Sequence, residues 1–503
     1  MVHVDGKRKL TGHLLDLPRF IHFLLRFTQS GNAIFNYHVT RYLNSMRYKS
    51  NAFRIIESLL RKDRVVVRSK RVSVFKKPSR WFTSKSSPWN KYDPSPTGQP
   101  RIFYLDEANR ATLYKWMDKY ETTAKYNVAE TCCASISFND LRELSEDKSD
   151  PLDLSIKLTY GAIRGSERLR GNLARLYSDQ TPLPSDNVLI TAGAIQANFL
   201  LLYTLVGSGD HVICHYPTYQ QLYSVPESLG AEVSLWKAKE ADNWRLDINE
   251  LKSLIRPNTK MIILNNPQNP TGAVIPQETL KEIVEIARSS SIIVHADEVY
   301  RPLYHSVGEG QAPPSLLSLG YEHTVVTGSM SKAYSLAGLR VGWIASRDRS
   351  IIEACASARD YTTISVGQLD DAIASYALAP ACEPNLLKRN LDLARRNLAI
   401  LEKFIESHRW ACDWVKPRAG TTAFVRFNNQ GHPVDDVAFC EQLQAKIGVM
   451  FVPGSSCFGE GEDYEGYVRI GYVCETEVLE QAMEALRSFM DGEYRNVPVR
   501  SRS

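Results

Sequence analysis

Apolar positions along the chain change rhythm near residue 159. Beyond it, apolar runs of four or five residues alternate with stretches whose apolar positions recur every three to four residues. The short runs predict strands at 188–191, 211–214, 233–236, 261–264, 292–296 and 324–327. They show little polar alternation, the mark of strands covered on both faces. The longer stretches predict helices at 194–206, 220–229 and 248–255. Such alternation builds an α/β fold: a large, mostly parallel sheet with helices on both faces. Further on, helical patterns at 387–408 and 434–447, strands at 423–427 and 467–470, and a last helix at 475–490 predict a smaller α+β domain.

Composition changes this picture little. The 503 residues are 43% hydrophobic and 23% charged, which excludes a mainly disordered or collagen-like chain. Charge changes it more. The net charge of +5 conceals a split, because residues 1–100 carry 20 Lys and Arg against 5 Asp and Glu, with eight of those cations between residues 61 and 77. A basic extension thus precedes a mildly acidic body, and the two need separate explanations. Residues 84–100, rich in Ser, Pro, Gly and Asn, read as a linker. The nine cysteines are scattered without a C-x-x-C pair, which argues against a disulfide framework or zinc ribbon and fits a reducing, cytoplasmic setting. No apolar run reaches the ~18 residues of a membrane span, and the first 30 residues lack the apolar core of a secretory signal.

Four clusters sit where predicted strands end, the place where open α/β sheets bind ligands. Asn265-Asn266-Pro267-Gln268-Asn269-Pro270-Thr271-Gly272 is a strongly turned loop that projects amides. Asp297, ending an apolar strand, requires a cation or several donors; Glu298 beside it reads as a solvated carboxylate. Ser329, Ser331, Lys332 and Arg340 gather two hydroxyls, an amine nucleophile and an anion binder within twelve residues. Thr191-Ala192-Gly193-Ala194-Ile195 is a strand–glycine–helix junction whose first amides suit a phosphate. Taken singly, each has a bland reading as a decorated turn or a basic loop. Together they match the needs of pyridoxal 5′-phosphate: anion donors, a carboxylate for the ring nitrogen, donors for the phenolate oxygen and a lysine for the aldehyde.

The motifs N-P-x-N-P-T-G, A-D-E-x-Y and S-x-S-K-x(7)-R-x-G, in this order and spacing, resemble the class I/II aminotransferases of pyridoxal-phosphate fold type I, over roughly residues 105–490. The resemblance implies that Lys332 forms the Schiff base and shuttles the proton at Cα. It implies that Asp297 keeps the ring nitrogen protonated, and that Tyr300 and Asn269 bond the phenolate oxygen. Arg340 and Ser329, helped by Ser331, would hold the phosphate with the amides of Ala194 and Ile195. Tyr219 resembles the aromatic that stacks on the ring, and Tyr160 the tyrosine that reaches the phosphate in a neighbouring subunit, which implies a homodimer. Arg469, with Asn269, resembles the clamp for the substrate α-carboxylate. The domains implied are a basic extension and linker at 1–104, the first part of the small domain and the substrate mouth at 105–160, the large cofactor domain at 161–375, the small domain at 376–492 and a tail at 493–503.

One segment departs from the pattern. Where family members carry a small, often glycine-containing loop, this chain has Asn127-Val128-Ala129-Glu130-Thr131 followed by Cys132 and Cys133. The departure touches the substrate pocket, not the cofactor site. His295, two residues before Asp297, either supports it or packs on the far face of its strand. The basic extension has three open readings: a targeting or unstructured segment, an artefact of the gene boundaries, or a DNA-binding domain with a helix at 55–60 and a wing at 65–75. The expected function is an aminotransferase acting on an α-amino acid and a 2-oxo acid. Its rivals are another carbanion reaction with the same cofactor (elimination, cyclisation or decarboxylation) and an aminotransferase-like transcriptional regulator.

Overall fold

Apolar strands followed by amphipathic helices meet the expectation of a doubly covered sheet. A computed structural model describes residues 112–178, 181–459 and 463–500. The basic extension, its linker and its DNA-binding reading lie outside the described residues. In chain order the strands are β1 Tyr126–Asn127, β2 Val188–Thr191, β3 His211–Tyr216, β4 Glu232–Lys237, β5 Thr259–Asn265, β6 Ile293–Asp297, β7 Thr324–Ser329, β8 Gly342–Ser346, β9 Cys412–Trp414, β10 Thr422–Asn429, β11 His432–Pro433, β12 Val449–Met450, β13 Val452–Pro453 and β14 Tyr467–Gly471.

Seven of them form one sheet in the order β2-β8-β7-β6-β5-β3-β4. β7, β6, β5, β3 and β4 run parallel, while β8 runs antiparallel to both β7 and β2. Every residue of β2, β3, β7 and β8 is buried, the polar ones among them included, as strands covered on both faces are. On one face the helices Gly193–Leu205 and Arg349–Arg359 pack Leu200, Leu201, Ile351 and Ile352 against Leu189, Val325 and Ile344. On the other lies the helix Gln277–Ser289, which buries Leu280, Ile283, Val284 and Ala287, the spacing of a single helical stripe. Neither β8 nor this last helix was among the elements expected from the sequence.

Five of the remaining strands build the smaller sheet, β11-β10-β14-β13 with β9 on β10, and β1 and β12 pair in parallel as a separate two-stranded sheet. The 25-residue helix Glu383–Ser407 packs against β9 and against the helix Thr476–Gly492, which in turn covers β1 and β12. Residues 493–500 turn back over this sheet: Tyr494 is fully buried against Phe427 and Phe439, and the Asp435 amide donates to the Pro498 carbonyl (2.8 Å). Among the described residues there is no helix long and apolar enough to cross a membrane and no His, Cys, Asp and Glu cluster suited to a metal ion.

Candidate active site

Parallel pairing sets side by side residues at or near the C-terminal ends of three strands. Asn265 of β5 is the register partner of Asp297 of β6, which is the partner of Thr327 of β7. Asp297 is 3% exposed, and burial raises its carboxyl to about 6 against the pull of its donors. Those donors are the Asn198 side-chain amide on Oδ2 (2.9 Å) and the Val299 backbone amide on Oδ1 (3.1 Å). Among the described residues both hydrogen bonds to it come from neutral amides.

Asn198 in turn accepts a hydrogen bond from the Thr327 hydroxyl (2.6 Å). Having donated there, Thr327 accepts from His295 Nε2–H at 3.1 Å, which assigns the tautomer of a histidine that burial holds neutral, down near 3. His295 and Asp297, two apart on β6, share a face. His295 therefore does not pack on the far face of its strand; it ends a chain of hydrogen bonds that begins at Asp297. Neither Asn198 nor Thr327 was singled out from the sequence. Asn198 left one trace, as one of two amides, with Gln196, inside a largely apolar helix. Glu298 is also corrected: it is buried, not solvated, and accepts from the Ser315 hydroxyl (2.9 Å) and the Leu316 amide (2.8 Å), for which its neighbourhood in sequence gives no sign.

The loop after β5 folds on itself. Asn265 Oδ1 accepts from the Asn269 amide (2.7 Å), Asn266 Oδ1 from the Ile275 amide (3.0 Å), and Asn265 Nδ2 donates to the Asp297 carbonyl (3.1 Å). Asn269, 5% exposed, turns its Oδ1 to Arg469 Nη1 (3.4 Å). Tyr300, buried after β6, has its phenol raised by burial and lowered in part by Lys332 and Arg469 beside it.

The phosphate expectation rests on close backbone approach. The helix Gly193–Leu205 has no side-chain cap, and Gly193 takes a left-handed φ of +81°. A Cβ on Gly193 would stand 2.5 Å from Arg340 Nη2, and one on Gly342 would stand 2.5 Å from the Ala194 nitrogen. Two glycines thus bring the Arg340 guanidinium and β8 onto the first amides of the helix, those of Ala194 and Ile195. Arg340 itself has φ +52° and donates to the Ala337 carbonyl (3.1 Å) and the Ser331 hydroxyl (3.4 Å); Ser329 Oγ accepts from the Ser331 amide (3.2 Å). A non-glycine residue held left-handed is strain of a kind that gathers at functional sites.

Lys332 follows β7. Its amine donates to Thr131 Oγ1 (2.6 Å) and lies 3.3 Å from Cys132 Sγ and 3.4 Å from Glu130 Oε1. Burial alone would lower its pKa, but Cys132 and Glu130 raise it by more. Arg469 of β14, 3% exposed, donates from Nη2 to the Ala129 carbonyl (2.8 Å), lies 5.4 Å from the centre of the Phe458 ring, and has a buried Nε without a hydrogen-bond partner. Tyr219, after β3, meets Tyr114 hydroxyl to hydroxyl, the rings edge to face at 6.3 Å. Tyr160 is not gathered into the site of its own chain; it is 80% exposed.

A buried carboxyl held by neutral amides, a glycine-lined helix start under an arginine, and a lysine amine fit pyridoxal 5′-phosphate in ring nitrogen, phosphate and aldehyde. The comparisons agree. The family model for aminotransferase class I and II matches residues 143–486. Among curated proteins, a capreomycidine synthase from Streptomyces vinaceus is 28% identical over 75% of this chain and 92% of its own, and an aspartate aminotransferase from Thermotoga maritima is 26% identical over 67% and 84%. Among solved structures, a pyridoxal-phosphate-dependent aminotransferase from Streptococcus suis is 37% identical and superposes with a TM-score of 0.69 over 76% of this chain and 98% of that one.

Proposed function

Since the chain belongs to the class I and II aminotransferase family and works with pyridoxal phosphate, we propose that it moves an amino group between an α-amino acid and a 2-oxo acid, in two half-reactions at one site. One observation carries the reading. The Lys332 amine and the Arg469 guanidinium meet the same strap of chain two residues apart, at Thr131 and Ala129. The amine read as the proton carrier and the guanidinium read as the carboxylate clamp thus share one short segment of chain.

Pyridoxal phosphate supplies an aldehyde that takes up the amino group and a ring that accepts the electron pair left when Cα loses its proton. Asp297, held by Asn198 and Val299, would keep a proton on the ring nitrogen. Asn269 and Tyr300 would donate to the ring oxygen. Arg340, Ser329, Ser331 and the amides of Ala194 and Ile195 would hold the phosphate, and Tyr219 would cover the ring. Lys332 would hold the aldehyde and would take the proton from Cα. Arg469 would fix the α-carboxylate so that this proton faces Lys332, since holding reacting groups in line lowers the barrier. Tyr160 is exposed as a residue serving a second subunit's phosphate would be in a single chain.

The test is spectroscopic. Purified protein should show the absorbance band of a lysine-bound cofactor, and Lys332→Ala should abolish it. Amino acid alone should then bleach the band once, and a 2-oxo acid should restore it. A second reading is favoured by the similarity to a capreomycidine synthase: a cyclisation, elimination or decarboxylation from the same carbanion. Continuous turnover of an amino acid without any 2-oxo acid would establish that reading instead.

A further inference from the structure

The strap between β1 and the following helix carries a charged group that this chemistry does not use. Asn127 Oδ1 accepts from the amides of Ala129 (3.1 Å) and Glu130 (3.2 Å), and the Gly471 amide donates to the Val128 carbonyl (2.8 Å). A Cβ on residue 471 would stand 1.8 Å from the Glu130 carbonyl oxygen, so the strap lies on β14 only because that residue is glycine. Beyond Glu130 it is fastened again, by the Cys133 amide to the Lys332 carbonyl (3.3 Å) and the Ala134 amide to the Val473 carbonyl (2.7 Å). Glu130 is therefore fixed in place, with Lys332 and Arg469 as its neighbouring cations.

Its carboxylate accepts from the amides of Thr131 (2.6 Å) and Cys132 (3.1 Å). Burial works to raise its pKa, but Lys332, the Thr131 amide, the Cys132 side chain and Arg469 bring it down to about 2, and the two backbone amides stay on the carboxylate whatever the cations do. Unlike the enclosed Arg469, its side chain is 45% exposed.

With substrate bound, the other charges have partners: the phosphate has Arg340, the ring nitrogen has Asp297, and the α-carboxylate has Arg469. Lys332 surrenders its positive charge when it joins the cofactor or acts as a base. Glu130 then remains an anion without a cation, and a second anion, the α-carboxylate, arrives at the arginine it faced. A half-buried carboxylate in that position is costly unless the substrate itself brings the compensating charge.

We propose that Glu130 selects α-amino acids whose side chain ends in a cation, a guanidinium or an ammonium. The proposal rests on the roles given above to Lys332 and Arg469. A neutral side chain forgoes the ion pair, and an acidic one adds a third anion, so selection works by attraction and by repulsion together.

The test titrates the holoenzyme with arginine, lysine, alanine, phenylalanine and aspartate in the absence of 2-oxo acid, following the cofactor's absorbance. Arginine or lysine should half-saturate the change at a concentration at least about tenfold below that for alanine, with aspartate weakest; the better of the two tells guanidinium from ammonium. Glu130→Gln should weaken the basic amino acids roughly ten- to a hundredfold and leave alanine within about threefold. Glu130→Asp, which keeps the charge, should keep the preference, and serves should the glutamine variant fail to fold. The proposal is overturned if alanine, phenylalanine or aspartate binds more tightly than both basic amino acids. It is overturned equally if Glu130→Gln leaves the preference unchanged or weakens all five ligands alike. A band that survives Lys332→Ala would instead defeat the underlying assignment of the lysine.

Discussion

Asn198 and Asp297, 99 residues apart in sequence, meet at 2.9 Å beneath the ends of the central strands. The amide cannot turn over without cost, because its oxygen accepts from Thr327 while its nitrogen donates to Asp297. Thr327 is oriented in turn by His295. The carboxyl that is to face the ring nitrogen is thus aimed by three neutral groups, none of which competes for its charge.

Replacing Asn198 by Leu removes one donor to the ionised form of Asp297 and leaves the Thr327 hydroxyl without its acceptor. Losing a donor to the charged form raises a carboxyl's pKa further. The expected outcome is a fall in kcat of about tenfold or more, with KM for the amino acid little changed, because the defect lies on the ring side and not at the carboxylate clamp. Steady-state kinetics reads both quantities, and equal loss of kcat in Asn198→Leu and Thr327→Val would identify the pair as one unit.

Asp297 also makes the cofactor-free protein less stable as pH rises. Its folded-state pKa of about 6 lies above the ordinary 3.8, so between those values the folded state holds the proton more tightly than the unfolded one. The contribution is best below pH ~4, declines as pH rises through 6 and is flat above, a swing on the order of 3 kcal/mol. Asp297→Asn removes the titration. Thermal melts of the two cofactor-free proteins should therefore diverge between pH 4 and 7, wild type losing ground to the variant as pH rises, while the variant loses catalysis.

Gly342→Ala tests the phosphate cradle. The added carbon would lie 2.4 Å from the Gly193 carbonyl carbon and 2.5 Å from the Ala194 nitrogen. Both are backbone, so the helix start has to move. Cofactor affinity is expected to drop by about tenfold or more through the lost phosphate geometry, with the circular dichroism of the fold retained. Equilibrium titration with cofactor measures it.

The elements that sequence reading placed well are those whose burial is two-sided or single-striped. β2 spans the residues expected, and β5, β6 and β7 differ only at their ends, because an apolar run flanked by turn residues admits little else. β8 escaped notice because it begins at Gly342 inside a run already read as phosphate-binding chemistry, and its antiparallel course answers to no local signal. Lys332, Asp297, Asn269 and Arg340 were legible because their motifs are local. Asn198 and Thr327 were not, since what they do depends on the pairing of β6 with β7 and on a helix packed across them. Glu130 stood out only as a departure; its contact with Lys332 joins residues 202 apart in sequence.

The role proposed for Arg469 can be separated from any contribution it makes to stability. It is almost wholly enclosed, its Nε lacks a hydrogen-bond partner, and burial lowers its pKa below that of an ordinary arginine. A guanidinium so placed adds little to stability, because desolvation offsets its hydrogen bonds to Ala129 and Asn269. Arg469→Met, of similar length and able to rest against Phe458, should keep the cofactor's absorbance band and melt within a few degrees of wild type, or higher. Its KM for the amino acid should rise by about a hundredfold, since the bidentate contact to the α-carboxylate is gone. Arg469→Lys keeps the charge and loses the fork, and should fall between the two. A purely structural arginine would give the opposite pattern, with the melting temperature dropping and KM unmoved, so melts and kinetics on the same preparations decide between the roles.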